Sequence, residues 1–370
     1  MTSIKVGLAQ LVARMQAEVP GLPDAELTAA PATPGEVAEL LAEATAARLK
    51  VLVWGGGSHQ GFGHRFDPDL VLSTSRLNRL LAWEPDDMTV VAEAGIGVDD
   101  LETRLATRRQ TAILPERPGP ATVGGVLSAG VSGYRRSRYG PTRDRILEVT
   151  VVTGDGRIVK AGGRVVKNVT GYDLPRLVVG ALGSLGVIVS ACLKLWPLPV
   201  ATATVTVADL EASRAVHRPL SILSDAHATK VYLAGTPAEV DSQANRLEGT
   251  REEGLRWPPP LPGELIWSLR VPPALVETAR RRIPSEASQI AQIMVGEIGL
   301  GTNHTGGMPE LREWAESVGG RLVLVRAPEP VYREIDPWGT PPGSVDLQRR
   351  LVAAFDPARV FNPGRLPGRI

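Results

Sequence analysis

The stretch VLVWGGGSHQGFGH, residues 51–64, joins a short apolar run directly to three consecutive glycines, a serine and a histidine. The length and β-branched content of VLVW predict a strand at 51–54. Because glycines lack Cβ atoms, their backbone N–H groups can converge on phosphate oxygens, and the turn is a candidate phosphate cradle. The alternative is a tight turn that holds no ligand. The spacing fits neither common nucleotide motif, since no glycines stand at i, i+2 and i+5 and Gly61 is followed by Phe62 rather than Lys.

The residues on both sides of this turn predict a helix and a strand before it and further strands after it. Thr33 and Glu36 have the spacing of a capping box, and Pro34 suits the first helical position. Apolar residues then recur at helical spacing up to the first strand. Further strands are predicted at 69–73 and 88–95, and a second helix follows them.

A second glycine-rich segment, LPERPGPATVGGVLSAGVSGYRRSRYG at 114–140, shows little periodicity. It is predicted to be irregular chain that wraps around a ligand. The hydroxyls of Thr122, Ser128 and Ser132 can approach a polyanion closely, because small residues surround them. Two such loops on one set of strands suit a ligand with a diphosphate and two bulky ends, and FAD fits this description better than a mononucleotide.

The composition changes again after this segment. LEVTVVTGDGRIVKAGG at 147–163 predicts a β-hairpin around a tight Gly-Asp-Gly turn. A long strand ended by prolines predicts a domain boundary near residue 199. Residues 200–343 mix short apolar runs, helical patterns and loose proline clusters, and the last segment predicts an amphipathic helix with a proline-bounded tail.

Composition and charge exclude several classes of protein. The net charge of +1 gives no electrostatic footprint for nucleic acid, and no apolar stretch is long enough for a transmembrane segment. The N-terminus lacks a signal-peptide pattern, so a cytoplasmic location is expected, with peripheral attachment to the inner membrane through partners as an alternative. The single cysteine, Cys192, excludes an internal disulfide and a cysteine-ligated iron–sulfur cluster held by this chain alone. Its apolar surroundings predict a packed core thiol.

Five segments together carry a family resemblance. They resemble the FAD-binding domain of the vanillyl-alcohol oxidase/p-cresol methylhydroxylase (PCMH) superfamily, and within it the FAD-binding subunit family of bacterial glycolate oxidases. The resemblance covers residues 30–200 and 345–370 well and the middle third only loosely. The segments are WGGGSHQGFG (54–63), ERPGPATVGGVLSAGVSG (116–133), RYGPTRDRILEVTVVTGDGRIV (138–159), KNVTGYDLPRLVVGALGSLGVI (167–188) and FDPARVFNPGRL (355–366).

The resemblance implies an α+β fold: a PCMH-type FAD-binding domain made of two α+β subdomains, with a smaller α+β cap domain. The implied boundaries are 1–199 for the FAD-binding domain, 200–343 for the cap or substrate domain, and 344–370 for a C-terminal segment that returns to the FAD-binding domain.

The resemblance also implies which residues hold FAD. The first loop would bind the pyrophosphate through its backbone, the second segment would line the other side, and Asn362 would reach the flavin from the C-terminus. Attachment is expected to be non-covalent, because Ser58 separates His59 from the glycines, whereas covalently attached members place the histidine directly after two glycines. The implied FAD-binding residues are Gly55, Gly56, Gly57, Ser58, His59, Pro118, Thr122, Gly124, Gly125, Ser128, Ser132, Gly133, Tyr139, Gly140, Asp144, Gly186, Val187, Ile188 and Asn362.

Two departures from the family pattern bear on catalysis. Leu182 stands where catalytic relatives carry an acidic residue, and an apolar side chain cannot act as an acid or a base. His304 has no second histidine nearby, so no metal site is expected. The catalytic base is not identified. Arg326, His304 and Tyr172 are weak catalytic candidates, and for Tyr172 and Lys167 a loop-fixing role is favoured.

The leading functional hypothesis is an FAD-binding subunit of a glycolate-oxidase-like complex that oxidises small 2-hydroxy acids, such as glycolate or D-lactate, to 2-oxo acids. Electrons would pass through the flavin to a partner. A paralogous FAD subunit and an iron–sulfur subunit are the implied partners. The alternatives are a stand-alone FAD-dependent alcohol oxidase that uses oxygen and an FAD subunit with a purely accessory role.

Overall fold

The structure is a computed structural model that describes residues 2–23, 25–116, 119–164 and 172–370, with backbone only for residues 2–6. The chain divides into two compact units. Unit 1 comprises Met1–Ser132, Pro141–Pro197 and Pro341–Ile370, and unit 2 comprises Gly133–Gly140 and Leu198–Thr340. The domain boundaries implied by the sequence lie after residues 199 and 343, with residues 133–140 inside the FAD-binding domain; in the structure these eight residues belong to unit 2.

Helices are interspersed with runs of consecutive strands along the chain. The helices are α1 (Thr2–Arg14), α2 (Pro34–Ala46), α3 (Val98–Ala106), α4 (Val123–Ala129), α5 (Arg136–Tyr139), α6 (Leu174–Val178), α7 (Pro237–Ala244), α8 (Val276–Arg280), α9 (Met308–Ser317), α10 (Glu329–Glu334) and α11 (Val345–Phe355). Short 3₁₀ turns occupy Thr142–Asp144, Ala212–Ala215 and Pro273–Leu275.

The strands, numbered along the chain, are β1 (Leu27–Ala29), β2 (Val51–Trp54), β3 (Leu70–Ser73), β4 (Leu80–Glu84), β5 (Thr89–Glu93), β6 (Gln110–Thr111), β7 (Ile146–Val152), β8 (Ile158–Gly162), β9 (Val187–Lys194), β10 (Trp196–Pro197), β11 (Ala201–Val207), β12 (Ser221–Ser224), β13 (Thr229–Gly235), β14 (Gly249–Glu253), β15 (Leu265–Arg270), β16 (Ser288–Gln292), β17 (Glu297–Thr302) and β18 (Arg321–Arg326). The predicted strand at 51–54 and the predicted hairpin at 147–163 are confirmed by β2 and by β7 with β8.

Unit 1 is built on two main sheets. A three-stranded parallel sheet has the order β1-β3-β2, and a five-stranded antiparallel sheet has the order β4-β5-β9-β7-β8. The strands β2 and β3 are almost uninterrupted apolar runs, as expected for parallel strands covered on both faces. Helices α1 and α2 contribute leucines and valines to the core beneath them, and Phe361 of the C-terminal segment joins this core.

The predicted helix before β2 is confirmed, with one difference at its start. The Thr33 side chain accepts a hydrogen bond from the Glu36 N–H, and Pro34 is the first helical residue. The Glu36 carboxylate, however, accepts from the Ala32 N–H at 2.6 Å instead of completing the box with Thr33. The two bonds still satisfy backbone donors at the helix entrance, and the apolar face of α2 is buried.

The prediction that residues 114–140 form irregular chain is wrong for two stretches. Residues 123–129 form α4, and residues 136–139 form the single turn α5. The glycines of α4 have low helix propensity, but the Thr122 side chain accepts from the Gly125 N–H at the helix start. Gly124 also packs so closely on Ala94 that an added Cβ would lie 2.6 Å from the Ala94 Cβ. Packing therefore overrides propensity here.

Unit 2 is built on one eight-stranded antiparallel sheet in the order β14-β11-β13-β12-β16-β17-β15-β18. Three apolar clusters of described residues belong to this unit; α7 contributes to one of them, and α8 and α9 contribute to another. The segment Gly133–Gly140 is tied to the same unit, because Arg136 forms an ion pair with Glu297 at 2.9 Å and the Ser137 hydroxyl donates to the Leu220 carbonyl at 2.8 Å.

No helix in the described ranges combines the length and apolar character needed to cross a membrane.

Candidate functional site: a glycine-walled cleft in unit 1

A cleft of about 620 Å³, partly open to solvent, lies within unit 1. It combines the turn after β2, the start of α4 and the start of β9. The described residues that line it include no carboxylate. They are Val53, Gly55, Gly56, Gly57, Ser58, His59, Gln60, Thr74, Ala94, Ala121, Thr122, Gly124, Gly125, Ser128, Ala129, Leu182, Gly183, Gly186, Ile188 and Arg365.

The first wall is the glycine turn that follows β2. A Cβ added to Gly56 would overlap the Pro120 carbonyl oxygen, and one added to Gly55 would overlap the Thr122 hydroxyl. Gly57 has φ +77° and lies against the Trp54 ring, where an added Cβ would approach a ring carbon to 2.6 Å. Close packing therefore requires all three glycines, and backbone conformation adds to the requirement at Gly57.

The same turn presents unused hydrogen-bond donors. Among the described residues, the N–H groups of residues 55–59 donate to no protein acceptor, and the next donor along the chain is Gln60, which bonds to the Gly57 carbonyl. Buried or half-buried N–H groups are normally paired, so a run of unpaired ones beside a cleft is a recognised form of anion site. With no carboxylate opposite, this wall fits a diphosphate.

The second wall is α4. Gly124 donates to the Ala94 carbonyl at 2.7 Å, which holds the helix against the end of β5. Gly124, Gly125 and Ser128 line the cleft from this helix rather than from a loop. The predicted approach of small residues and hydroxyls to a ligand therefore occurs, but on a helical scaffold.

The third wall runs from Leu182 to Ile188. Leu182 has φ +50°, its N–H donates to the Ser128 carbonyl at 2.8 Å, and its carbonyl accepts from the Asn362 side chain at 2.7 Å. Ile188 faces the cleft, whereas Val187 is fully buried in the core of unit 1, because neighbouring strand residues point to opposite faces. The wall is apolar at Leu182, the position of the acidic residue in the family pattern described above.

His59 is the titratable side chain of the first loop. Burial lowers the pKa of its imidazole from 6.5 to about 4, so the ring is neutral at neutral pH. Its ring centroid lies 6.1 Å from that of Phe62. His59 can therefore exchange hydrogen bonds with a ligand in the cleft, but it adds no positive charge there.

Several residues of the cleft were missed by the sequence analysis. Gln60 follows the predicted loop by one position, and Thr74 and Ala94 directly follow β3 and β5, two strands of different sheets. Arg365 lies three residues after the predicted Asn362, but its contacts with residues 59–62 span more than three hundred positions of the chain. The motif FNPGR was a local signal for the segment; nothing local indicated which loop Arg365 contacts.

Four predicted binding residues of unit 1 lie outside the cleft lining. Ser132 accepts a hydrogen bond from the Thr142 N–H at 3.0 Å, and Asp144 lies 3.6 Å from Arg176. Val187 is a core residue, and Asn362 contacts the lining through Leu182. Their observed contacts are structural.

The remaining predicted binding residues are distributed elsewhere. Gly133, Tyr139 and Gly140 belong to unit 2, where Tyr139 packs against the core cluster of Leu220, Leu223, Tyr232 and Ile290. Pro118 lies outside the described residues.

The three catalytic candidates do not line the cleft. Tyr172 is 95% exposed. Arg326 and His304 belong to unit 2, where Arg326 donates to the Gly263 carbonyl at 3.2 Å and His304 lies 3.6 Å from Glu286. Lys167 lies outside the described residues. Within those residues, no group of three or more histidines, cysteines or acids could hold a metal ion.

The structure is a mixed helix and sheet architecture, and its cleft fits a ligand with a diphosphate. Residues 25–162 match the family described as FAD binding domain. The resemblance named from the sequence and the predicted cofactor, FAD, are confirmed.

Three related proteins show which known sequences this chain is similar to. Glycolate oxidase subunit GlcE of Escherichia coli is 28% identical over 312 residues, which cover 78% of this chain and 84% of that protein. D-lactate dehydrogenase of Archaeoglobus fulgidus is 34% identical over 45% of this chain, and glycolate oxidase subunit GlcD of Bacillus subtilis is 29% identical over 55%. The chain spans only 38% and 46% of the lengths of the latter two.

Solved structures support the fold over nearly the whole chain. A structure of alkyldihydroxyacetonephosphate synthase superposes with a TM-score of 0.65 at 16% identity, covering 91% of this chain and 75% of that one. The predicted fold class, a PCMH-type FAD-binding fold of mixed helix and sheet, is confirmed.

Proposed function

We propose that this chain is the FAD-binding subunit of a complex that oxidises small 2-hydroxy acids to 2-oxo acids. The observation that carries the proposal is the carboxylate-free cleft with unused N–H donors, in a chain similar over 78% of its length to a glycolate oxidase subunit. Relatives named for D-lactate and D-2-hydroxyglutarate support the same class of substrate.

The bound cofactor supplies redox chemistry, since FAD accepts two electrons as a hydride from a carbon that carries a hydroxyl group. The chain's own residues bind and orient it. The turn of residues 55–59 would donate N–H groups to the diphosphate, Thr122 and Ser128 would offer hydroxyls, and Leu182 and Ile188 would exclude water at the apolar wall.

The cleft supports a relay role for this flavin. Oxidation of a hydroxy acid requires a base for the hydroxyl proton. The titratable side chains that line the cleft are His59, whose pKa is lowered to about 4, and Arg365, which stays protonated. Neither is suited to take a proton at neutral pH, so we place the oxidation step on a partner and electron transfer on this chain.

The proposed partners are a paralogous FAD subunit and an iron–sulfur subunit. Clusters need cysteine ligands, and the one cysteine of these 370 residues, Cys192, is buried with its pKa raised to about 11, chiefly by burial. We therefore place a cluster that receives the electrons outside these 370 residues and assign it to the iron–sulfur subunit. The proposal includes unit 2 as the cap or substrate domain and a cytoplasmic location for the complex.

Anaerobic mixing of the FAD-loaded chain with glycolate or D-lactate tests the relay role. We expect the visible flavin band to persist when the chain is alone and to bleach when the partner subunits are added. Reduction of the isolated chain at an enzymatic rate would contradict the relay role, and peroxide formation would indicate a stand-alone alcohol oxidase. A flavin that neither hydroxy acid nor partner reduces would indicate a purely accessory role.

We further propose that FAD is held non-covalently. Acid precipitation should release all of the yellow colour into the supernatant. Flavin retained on the denatured protein would overturn this part of the proposal and would direct attention to His59, whose neutral imidazole lies in the cleft.

A further inference from the structure

We propose that Arg365 is the positioning residue of the diphosphate site: its guanidinium holds residues 59–62 so that the N–H groups of residues 55–59 converge on one anion. The inference rests on one part of the proposed function, the binding of FAD. It does not depend on which substrate the complex oxidises. Arg365 is 5% exposed and lines the cleft, although it is distant in sequence from the turn.

Four hydrogen bonds connect the Arg365 guanidinium to residues 59–62. Its Nε donates to the Phe62 carbonyl at 2.9 Å, and its Nη1 donates to the Gln60 side-chain oxygen at 2.7 Å. Its Nη2 donates to the Gln60 carbonyl at 2.9 Å and to the His59 carbonyl at 3.4 Å. One planar side chain thus holds three residues of the loop, His59, Gln60 and Phe62, in a fixed orientation.

Gln60 extends this network to the parallel sheet. Its amide nitrogen donates to the Val53 carbonyl at 3.0 Å while its amide oxygen accepts from Arg365. The end of β2, the turn and the C-terminal segment are therefore joined through two side chains. Because each side chain depends on the other for its orientation, their contributions should be coupled.

The C-terminal segment is docked by its own backbone. Val51 donates to the Val360 carbonyl at 2.7 Å, Asn362 donates to the Val51 carbonyl at 3.0 Å, and His64 donates to the Arg365 carbonyl at 3.1 Å. These bonds do not use the guanidinium. Replacement of the Arg365 side chain should therefore leave the C-terminal segment bound, so the role of the guanidinium can be tested by mutation.

A physical requirement connects this network to binding. A turn with three glycines loses much conformational freedom when it is ordered, and its donors gain no intramolecular bond in return. Ordering the turn before the ligand arrives lowers the cost of binding. A lysine at position 365 keeps the charge but cannot form the planar fork, so it should order the loop less well.

The test compares Arg365→Lys with Arg369→Lys, an exposed arginine of the same segment. FAD and ADP are titrated into apo-protein, and the melting temperature of apo-protein is recorded. We expect Arg365→Lys to weaken FAD and ADP by the same factor, about 10- to 100-fold, with little change in melting temperature. Arg369→Lys should bind both as the wild type does.

A double-mutant cycle supplies the second measurement. Gln60→Leu should weaken FAD and ADP less than Arg365→Lys does, and the double variant should lose less than the product of the two factors. If Arg365→Lys fails to fold, Gln60→Leu alone must weaken ADP for the proposal to stand. Wild-type ADP affinity in the Arg365→Lys protein, or weakening of FAD without ADP, would overturn it. A wild-type chain that binds FAD but takes no part in hydroxy acid oxidation would contradict only the proposed function.

Discussion

The turn of residues 55–59 and residues 296–307 are both rich in glycine, but they differ in whether their backbone N–H groups are paired. In both, a glycine abuts a proline carbonyl: Gly56 meets Pro120, and Gly301 meets Pro262. The backbone of β17 is paired on both sides, with β15 and with β16. The turn after β2 leaves its N–H groups without protein acceptors. Close packing explains glycine in both places, whereas only unpaired donors beside a cleft indicate a binding site.

The largest effect is expected from Gly56→Ala. Its Cβ would overlap the Pro120 carbonyl, which is backbone and cannot rotate away, so the turn must shift and its N–H groups must diverge. We expect FAD affinity to fall by at least about 100-fold, equivalent to roughly 3 kcal/mol. Titration of apo-protein with FAD, followed by flavin fluorescence, measures this.

Gly301→Ala is the matched control, because its Cβ would overlap the Pro262 carbonyl in unit 2. It should lower the melting temperature while reducing FAD affinity far less than Gly56→Ala does. Equal losses of FAD affinity in the two variants would remove the distinction between the two glycine regions.

A smaller effect is expected from Gly183→Ala in the third wall. Gly183 has φ +74°, and an added Cβ would lie 2.7 Å from the Asn362 amide nitrogen that holds the Leu182 carbonyl. We expect about a 10-fold loss of FAD affinity from strain and from this displaced hydrogen bond.

The control for backbone strain is Gly254→Ala, which has φ +81° and no atom within 4 Å of the added Cβ. Gly254→Ala has the same backbone strain from a positive φ as Gly183→Ala, but its added Cβ meets no other atom. Similar FAD affinity in Gly183→Ala and the wild type would show that Asn362 does not brace this wall.

The third prediction concerns the pH dependence of stability. The pKa of His59 is about 4 in the folded chain and 6.5 in the unfolded chain, so between these values only the unfolded state binds the proton. The free energy of unfolding should therefore decrease as pH falls from about 6.5 to about 4, by roughly 1–3 kcal/mol from this group.

Urea unfolding of apo-protein at the two ends of that pH range tests the sign. His59→Asn should flatten the dependence, whereas His304→Asn in the other glycine region, with a side chain 49% exposed, serves as the comparison. An unchanged slope in His59→Asn would show that the ring is not protected from protonation.

The smallest effect is expected from Gly299→Ala. Its Cβ would lie 2.8 Å from the far end of the Leu261 side chain, which can rotate. We expect a loss of stability of about 1 kcal/mol or less and FAD affinity equal to that of the wild type. A measurable loss of FAD affinity would mean that the backbone of β17 influences the cofactor cleft.

The local sequence pattern was sufficient to predict the parts of the site whose conformation depends on neighbouring residues alone. The strand at 51–54 and the glycines after it follow from β-branched content and from the absence of Cβ atoms. Helix α4 was not predicted, because Val-Gly-Gly-Val has neither helical propensity nor a clear period, and its stability comes from the Thr122 cap and from contact with Ala94.

Long-range contacts account for the other misses. Arg365 and Gln60 meet across 305 positions, and no spacing rule connects them. The family resemblance implied that Tyr139, within the second glycine-rich segment, binds FAD. In the structure Tyr139 packs against a core cluster of unit 2 formed by Leu220, Leu223, Tyr232 and Ile290, and this packing depends on tertiary structure.

The route of the chain restricts how this protein can be recombined. The chain leaves unit 1 after Ser132 and returns at Pro141, then leaves again after Pro197 and returns at Pro341. An exchange of residues 198–340 with a relative would separate Arg136 from Glu297 and Ser137 from Leu220. A functional chimera must therefore inherit residues 133–140 from the same parent, and genetic exchange between relatives is expected to transfer the two segments together.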